Sequence, residues 1–470
     1  MKSLPLHARR RVIGAMFMAG VFSIGLPFDM APLPGNCAVA AAASEVSGDT
    51  IAIRDVRATA DYWINRNYEG DKVLLDRNEI LALNASMREK SSSLTDLLNF
   101  PGSVARSELQ EMILSAQQDF REMATPEEHY DANGQPISQN SYDEAKANCG
   151  LASLEEKNEV RYALTTERTN LRLLPTAKNY FDDQDFRHYD DLQGTALDPA
   201  EPLLVLSESS DGAYAFVKSR NYTGWVSKGT MAFADRAHWQ RYVQPEDFLV
   251  VTANKKTVAV KGGWQVLFQM GSVIPLRQAK VQPDGTWAAI IPVEVNGVLH
   301  EAEVNIPADD TVHKGWLPCT QNNFIRQSLK FLGDVYGWGG MEDSVDCSSY
   351  VGDIYRSMGL EIPRDADQQE LAMPKSLNLS GLAREQRWKE LKKAPVGALF
   401  FKPGHVMMYL GEDDKGTPLV IHSASSYFTF HGGTGRKHYI RQVLISDLHY
   451  QNGRGVETID GMSSIGFIGR

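Results

Sequence analysis

Tyr336-Gly337-Trp338-Gly339-Gly340, followed six positions on by Asp346-Cys347-Ser348-Ser349, is the stretch that decides the fold of the C-terminal part of this chain. After Cys347 the apolar residues Tyr350, Val351, Ile354, Tyr355 and Met358 recur at helical spacing, and Gly359 stops the pattern. Asp346 is a good N-cap residue, so Cys347 is predicted in the first turn of a helix. There the unpaired backbone N–H groups and the positive end of the helix dipole favour a thiolate, the nucleophilic form of cysteine.

A nucleophilic thiol needs a base held on rigid structure elsewhere in the fold. Downstream lie three apolar runs separated by turns: Ala398-Leu399-Phe400-Phe401, then His405-Val406-Met407-Met408-Tyr409-Leu410-Gly411 after the turn Lys402-Pro403-Gly404, then Pro418-Leu419-Val420-Ile421-His422. Three strands after a cysteine helix predict an α+β unit whose sheet carries imidazoles to the helix tip. His405 is the expected general base, and His422 is expected to orient it through the second ring nitrogen.

These four motifs, in this order, resemble the NlpC-type cell-wall cysteine peptidases, a papain-like superfamily that cleaves peptidoglycan stem peptides. The resemblance implies Cys347 as nucleophile, His405 as base and His422 as third polar member, with no metal or cofactor. It places the Tyr336 hydroxyl near the oxyanion position, which the Cys347 N–H also serves. It likens Asp346 and Ser348 to residues that hold the free amino end of the substrate. Two departures stand out: the family usually shows Gly-Asp before the first strand and His-Val-Gly at the base, where this chain has Gly397-Ala398 and His405-Val406-Met407.

Other readings of the same residues are a buried inert cysteine, packing aromatics at Tyr336 and Trp338, and a zinc site. The separations of 58 residues from Cys347 to His405 and 17 from His405 to His422 do not follow the paired-ligand spacing of structural zinc sites. His431 and His438 lack a motif and are expected on the surface.

Lys2, Arg9, Arg10 and Arg11 precede an uncharged run from Val12 to Phe28, and small residues follow at Ala38-Val39-Ala40 and Ala41 to Ala43. This is the pattern of an export signal over 1–43, rather than a membrane anchor, because the run is short and broken by Pro27. Pro34-Gly35-Asn36 before Cys37 does not look like a lipidation box. Cleavage after Ala43 would remove four basic residues and Asp29, moving the formal charge from −11 to −14. Such acidity argues against nucleic acid as a partner, and no other long apolar run exists. The expected location is the periplasm or cell envelope, an oxidising compartment that permits Cys149 and Cys319 to pair while Cys347 stays free.

The 470 residues allow roughly three or four domains. Residues 44–155 carry helical patterning, as in Glu79-Ile80-Leu81-Ala82-Leu83 and Leu109 to Leu114. Residues 160–236 turn to short β runs, and 245–320 form a second such block with Asn296-Gly297 as a hairpin turn. Each block is sized for a small barrel, and Asn221-Tyr222-Thr223-Gly224-Trp225-Val226 looks like the end of a bacterial SH3-like domain, with Gly315-Trp316-Leu317 a weaker echo. The expected fold is therefore multidomain: a helical N-terminal unit, two SH3-like β-barrels, and an α+β papain-like domain over 321–470.

That architecture resembles the subgroup containing the γ-D-glutamyl-L-diamino acid endopeptidases of murein turnover. It implies a cysteine endopeptidase acting on the bond between γ-D-glutamate and diaminopimelate or lysine, in stem peptides or muropeptides with a free N-terminal L-alanine. It also implies a first barrel leaning over the site, with Tyr222 as the lid tyrosine and an acidic partner for the substrate amine among Asp182, Asp183, Asp185 and Glu201. Two alternatives stay open: an amidase or acyltransferase on another murein amide, and an inactive wall-binding scaffold.

Overall fold

The computed structural model describes residues 51–123 and 129–469. The predicted leader and Cys37 lie outside them. Among the described residues four α-helices come first: α1 (Ala60–Ile64), α2 (Arg77–Lys90), α3 (Arg106–Met123) and α4 (Gln139–Ala147). The start of α2 is fixed by a capping box, in which the Asp76 side chain accepts from the Glu79 N–H and Glu79 reaches back to the Asp76 N–H.

These helices do not build a core of their own. Tyr62, Trp63, Ile80 and Met87 are buried together with Phe324, Ile354 and Phe401 of the C-terminal part, whereas Leu109, Ile113, Tyr142 and Ala145 are buried with Leu204, Phe216 and Trp225 of the first β block. A stripe as narrow as the Ile80, Asn84 and Met87 face of α2 cannot close a core against a few short neighbours, so each half of the segment joins a larger one. A short strand, Val73–Leu75, seals the first half by pairing with Cys319–Thr320.

The first β block runs from Arg161–Thr165 to Met231–Ala234 and alternates with period two. Leu204, Phe216 and Trp225 enter the core shared with α3 and α4, while Leu203, Val205, Ala215, Val217 and Val226 enter a smaller one with Leu171 and Met231. In the second block, Asn296 and Gly297 both take positive φ (54° and 80°), as a two-residue turn between Thr286–Val295 and Val298–Pro307 requires. This hairpin extends the sheet of the first block through a Phe233↔Val298 contact, and the remaining strands pair separately, Phe248–Val251 with Val273–Pro275 and Val312–Lys314, and Lys255–Ala259 with Gln265–Gln269.

The C-terminal part sets α5 (Gln321–Leu329), α6 (Cys347–Ser357) and α7 (Ala366–Ala372) against a six-stranded sheet. Its strands are β1 (Lys375–Asn378), β2 (Leu399–Lys402), β3 (His405–Glu412), β4 (Pro418–His431), β5 (Thr434–Ser446) and β6 (Ser464–Phe467), in the order β1-β6-β2-β3-β4-β5, all antiparallel. The predicted stripe on α6 is fully buried, and with Val406, Met408, Leu410 and Ile421 it forms one core. Burial of each such aliphatic side chain contributes about 1.5–3 kcal/mol. Met407, which departs from the family pattern, faces the opposite core and accepts at Sδ from the Tyr450 hydroxyl at 3.2 Å, so it leaves the α6 face undisturbed.

Cys149 and Cys319 are both free and buried, in different cores, so the pairing considered from the sequence does not form. Burial pushes both thiols up to about 12.

Candidate active site

Asp346 caps α6 as predicted. Its carboxylate accepts from the Ser349 N–H at 2.9 Å, and its own N–H donates to Ser349 Oγ at 2.9 Å. Cys347 therefore opens the helix, buried at 7% exposure. The backbone N–H of Val406, the residue after His405 on β3, hydrogen-bonds to the sulfur, which brings the thiol to the strand that carries the imidazole.

The two histidines form a relay. His405 Nε2 lies 2.8 Å from His422 Nδ1, and His422 Nε2 lies 3.0 Å from Ser446 Oγ on β5. Read as His405 Nε2–H donating to His422 and His422 Nε2–H donating to Ser446, the chain of bonds leaves His405 Nδ1 as the nitrogen that can accept a proton. Tyr450 stacks on the His422 ring at 5.6 Å and holds its plane.

The expected thiolate is corrected by the structure. Burial pushes the Cys347 thiol up to about 12, the neighbouring Asp346 carboxylate adds to this, and the hydrogen bonds and the Arg364 charge that oppose it are weaker. Burial likewise drives His405 well below the ordinary histidine value, with the charges of His422 and Lys402 acting the same way, and takes His422 down to about 3. The pair is a neutral thiol and a neutral imidazole, because desolvation outweighs the first-turn field of a helix.

A pH dependence follows. The folded protein refuses protons that His405 and His422 take up in the unfolded chain below pH about 6.5. Their stabilising contribution is present above that value and is lost as pH falls toward 3, by on the order of a few kcal/mol. Denaturant midpoints at pH 7, 5.5 and 4 should fall less steeply in His422→Phe than in the parent chain. Equal slopes would contradict a neutral buried His422.

Asp346 and Ser348, expected from the family resemblance at the substrate amine, are both engaged by a guanidinium of this chain. Arg364, just before α7, donates from Nη2 to Asp346 Oδ2 at 2.6 Å, from Nη1 to Ser348 Oγ at 2.9 Å and Asp346 Oδ1 at 3.2 Å, and from Nε to Thr195 Oγ1 of the first β block at 2.7 Å. Burial opposes ionisation of Asp346, yet this guanidinium and the Ser349 hydrogen bonds hold its carboxyl below the ordinary value. Glu201 is equally engaged, 2.5 Å from both Arg220 and Arg356, and Asp183 accepts from the N–H groups of Asp185 and Phe186.

The first β block covers the site. Phe186 stacks on Tyr439 at 3.9 Å, His188 lies between Glu342 and Arg441, and Tyr189 packs 6.1 Å from Tyr336 and 5.8 Å from Trp338. The Trp338 indole N–H donates to the Asp190 carbonyl at 3.2 Å. Gly339 and Gly340 take positive φ, and a Cβ there would come within 2.6 Å of Gln193 Cγ and Ala196 Cβ, so the glycine pair of the opening motif is where the block seats on the C-terminal domain. Tyr336 is buried at 6% exposure, its hydroxyl kept strongly protonated by burial and by the adjacent Cys347. Tyr222 is half-buried, packed over Gly194 and within electrostatic reach of Arg364.

Sequence reasoning missed Arg364, Ser446, Lys402 and Tyr189. A basic residue just after the cysteine helix was a usable signal for Arg364. Ser446 carried none, because its role depends on a β4–β5 pairing that brings residues 24 positions apart together.

Residues 333–443 match the NlpC/P60 family, and residues 178–227 match an SH3 domain of the SH3b1 type. The gamma-D-glutamyl-L-lysine dipeptidyl-peptidase of Bacillus subtilis (strain 168) is 27% identical over 183 residues, 37% of this chain and 55% of that protein. Its Bacillus cereus (strain ATCC 10987 / NRS 248) counterpart is 24% identical over 217 residues, 43% of this chain and 56% of its own. The chain thus spans about half the length of the curated relatives it matches. An NlpC/P60 endopeptidase from Photobacterium damselae subsp. piscicida shares the fold, with a TM-score of 0.70 at 17% identity over 85% of this chain and 94% of that one. A buried cysteine at a helix start, the imidazole strand laid against it and the matched segments agree: the chain carries an NlpC/P60 domain at its C-terminal end, with an SH3 domain of the SH3b1 type ahead of it.

Proposed function

We propose that this protein is a cysteine endopeptidase that hydrolyses the bond between γ-D-glutamate and the diamino acid of peptidoglycan stem peptides. The observation that carries the reading is the Cys347 sulfur held by the Val406 N–H on the strand of His405, whose Nε2 is engaged by His422, itself engaged by Ser446. Cys347 gives its proton to His405 Nδ1 as the sulfur attacks the γ-carbonyl. The Cys347 N–H and the Tyr336 hydroxyl, which burial keeps protonated, stabilise the oxyanion. His405 then protonates the leaving amine and activates the water that hydrolyses the thioester, with His422 fixing its orientation throughout. Arg364 takes the place of a substrate ammonium at Asp346 and Ser348, so a free N-terminal alanine would be held elsewhere under the SH3 domain, with Tyr222 at its edge.

Export to the periplasm or envelope belongs to the same proposal and rests on the basic and apolar pattern of residues 2–43. No helix among the described residues is long and apolar enough to cross a membrane.

Mass spectrometry of products from a defined muropeptide set tests the reaction. The expected products are the dipeptide L-Ala-D-Glu with its γ-carboxyl free and a peptide beginning with the diamino acid, with iodoacetamide abolishing and EDTA sparing the activity. Cleavage at another amide would favour the amidase reading, and binding to murein without peptide release would favour the scaffold.

A further inference from the structure

Lys402 closes β2 and stands opposite His405 in the β2–β3 register. Its Nζ lies 3.4 Å from both Tyr450 Oη and Thr458 Oγ1, and 4.5 Å from the centre of the Tyr450 ring, which itself stacks on His422. The ammonium is therefore fixed at the histidine end of the site. Its environment is unusual for a half-buried lysine: among the described residues no carboxylate forms an ion pair with it. Burial lowers it to about 8, and the one opposing charge is Cys347 itself. A partly desolvated cation without a counter-ion costs free energy, and an anion brought beside it relieves that cost.

The position of Lys402 decides which part of the substrate it meets. Asp346, Ser348 and Arg364 cluster at the other end, around the start of α6 and toward the SH3 domain. His405 must hand its proton to the leaving nitrogen, so the residue that follows the scissile bond lies on the His405 side, beside Lys402. We propose that Lys402 is a specificity-determining residue that pairs with a free carboxylate on that residue, so that the enzyme prefers stem peptides whose diamino acid ends in a carboxylate-bearing centre, as diaminopimelate does, over those built on lysine. The lysine side chain ends in an ammonium alone, which like-charge repulsion with Lys402 disfavours. The inference rests on the peptidase reading above and adds the substrate class to it.

The test uses the full chain and two tetrapeptides, L-Ala-γ-D-Glu-X-D-Ala with X either meso-diaminopimelate or L-lysine, so that the α-carboxyl of X is blocked in both. The parent enzyme should favour the diaminopimelate peptide about tenfold or more in kcat/KM, mainly through KM. Lys402→Met should bring the ratio to within about threefold, and Lys402→Glu should reverse it. Because Lys402 also lowers the basicity of His405 and His422, its loss changes turnover of both peptides together, and the ratio removes that effect. A parent ratio near one, or a ratio that Lys402→Met does not move, overturns the assignment. Cleavage of neither peptide would instead sink the proposed reaction. The Lys402 assignment would then stand or fall on calorimetry with Cys347→Ala: a preference for the diaminopimelate peptide that Lys402→Met removes supports it, and equal or undetectable binding of the two overturns it.

Discussion

Cys347→Ala should give a folded protein that releases no peptide product, with kcat reduced by about 10⁴-fold or more. The substitution removes the sulfur on which the proposed thioester forms while deleting a single buried atom at the helix start. The cap survives, because Asp346 and Ser349 supply it. The loss of stability should stay within about 1–2 kcal/mol, readable as a small change in denaturant midpoint alongside the absence of turnover. Substantial residual hydrolysis would mean that another group is the nucleophile. A collapse of the fold would mean that the sulfur is chiefly a packing element.

The second large effect is on stability. Arg364→Leu strands the Asp346 carboxylate, buried at 6% exposure, without its cation. Removing one partner of such a pair costs about 3–5 kcal/mol, since the remaining charge cannot be resolvated. The same change removes the bond from Nε to Thr195, one of the ties between the NlpC/P60 domain and the SH3 domain. Arg364→Lys should recover only part of the loss, because an ammonium cannot reproduce a fork aimed at Asp346, Ser348 and Thr195 at once. Equilibrium unfolding of both variants checks this, and a cost below about 1 kcal/mol for the leucine variant would show that Asp346 finds its counter-charge elsewhere.

What was legible in the sequence was local. The cap at Asp346, the α6 stripe, the strands beginning near Leu399, His405 and Pro418, and the Asn296-Gly297 turn each follow from a few neighbouring residues, and the structure places them as read. What escaped depends on distant segments. Arg364 meets Thr195 across 169 residues, and His188 meets Arg441 across 253, contacts that no period or motif encodes. The ionisation of Cys347 was misread for the same reason: the helix start is local, but the burial that overrides it comes from β3 and Tyr336. The helical patterning around 79–83 and 109–114 was readable, while the division of this segment between two cores was invisible, because either core offers the same kind of apolar face.

That division sets which parts of the chain folding must wait for. Trp63, Ile80 and Met87 leave the ribosome early, yet their packing partners, Phe324, Ile354 and Phe401, are made several hundred residues later. The support of Cys347 is thus unfinished until Phe324, Ile354 and Phe401 are all present, and a fragment ending before β2 would expose those early side chains to solvent. A thiol site built this way is delayed by its own topology: the surroundings of Cys347 cannot close before Phe401 has joined the chain.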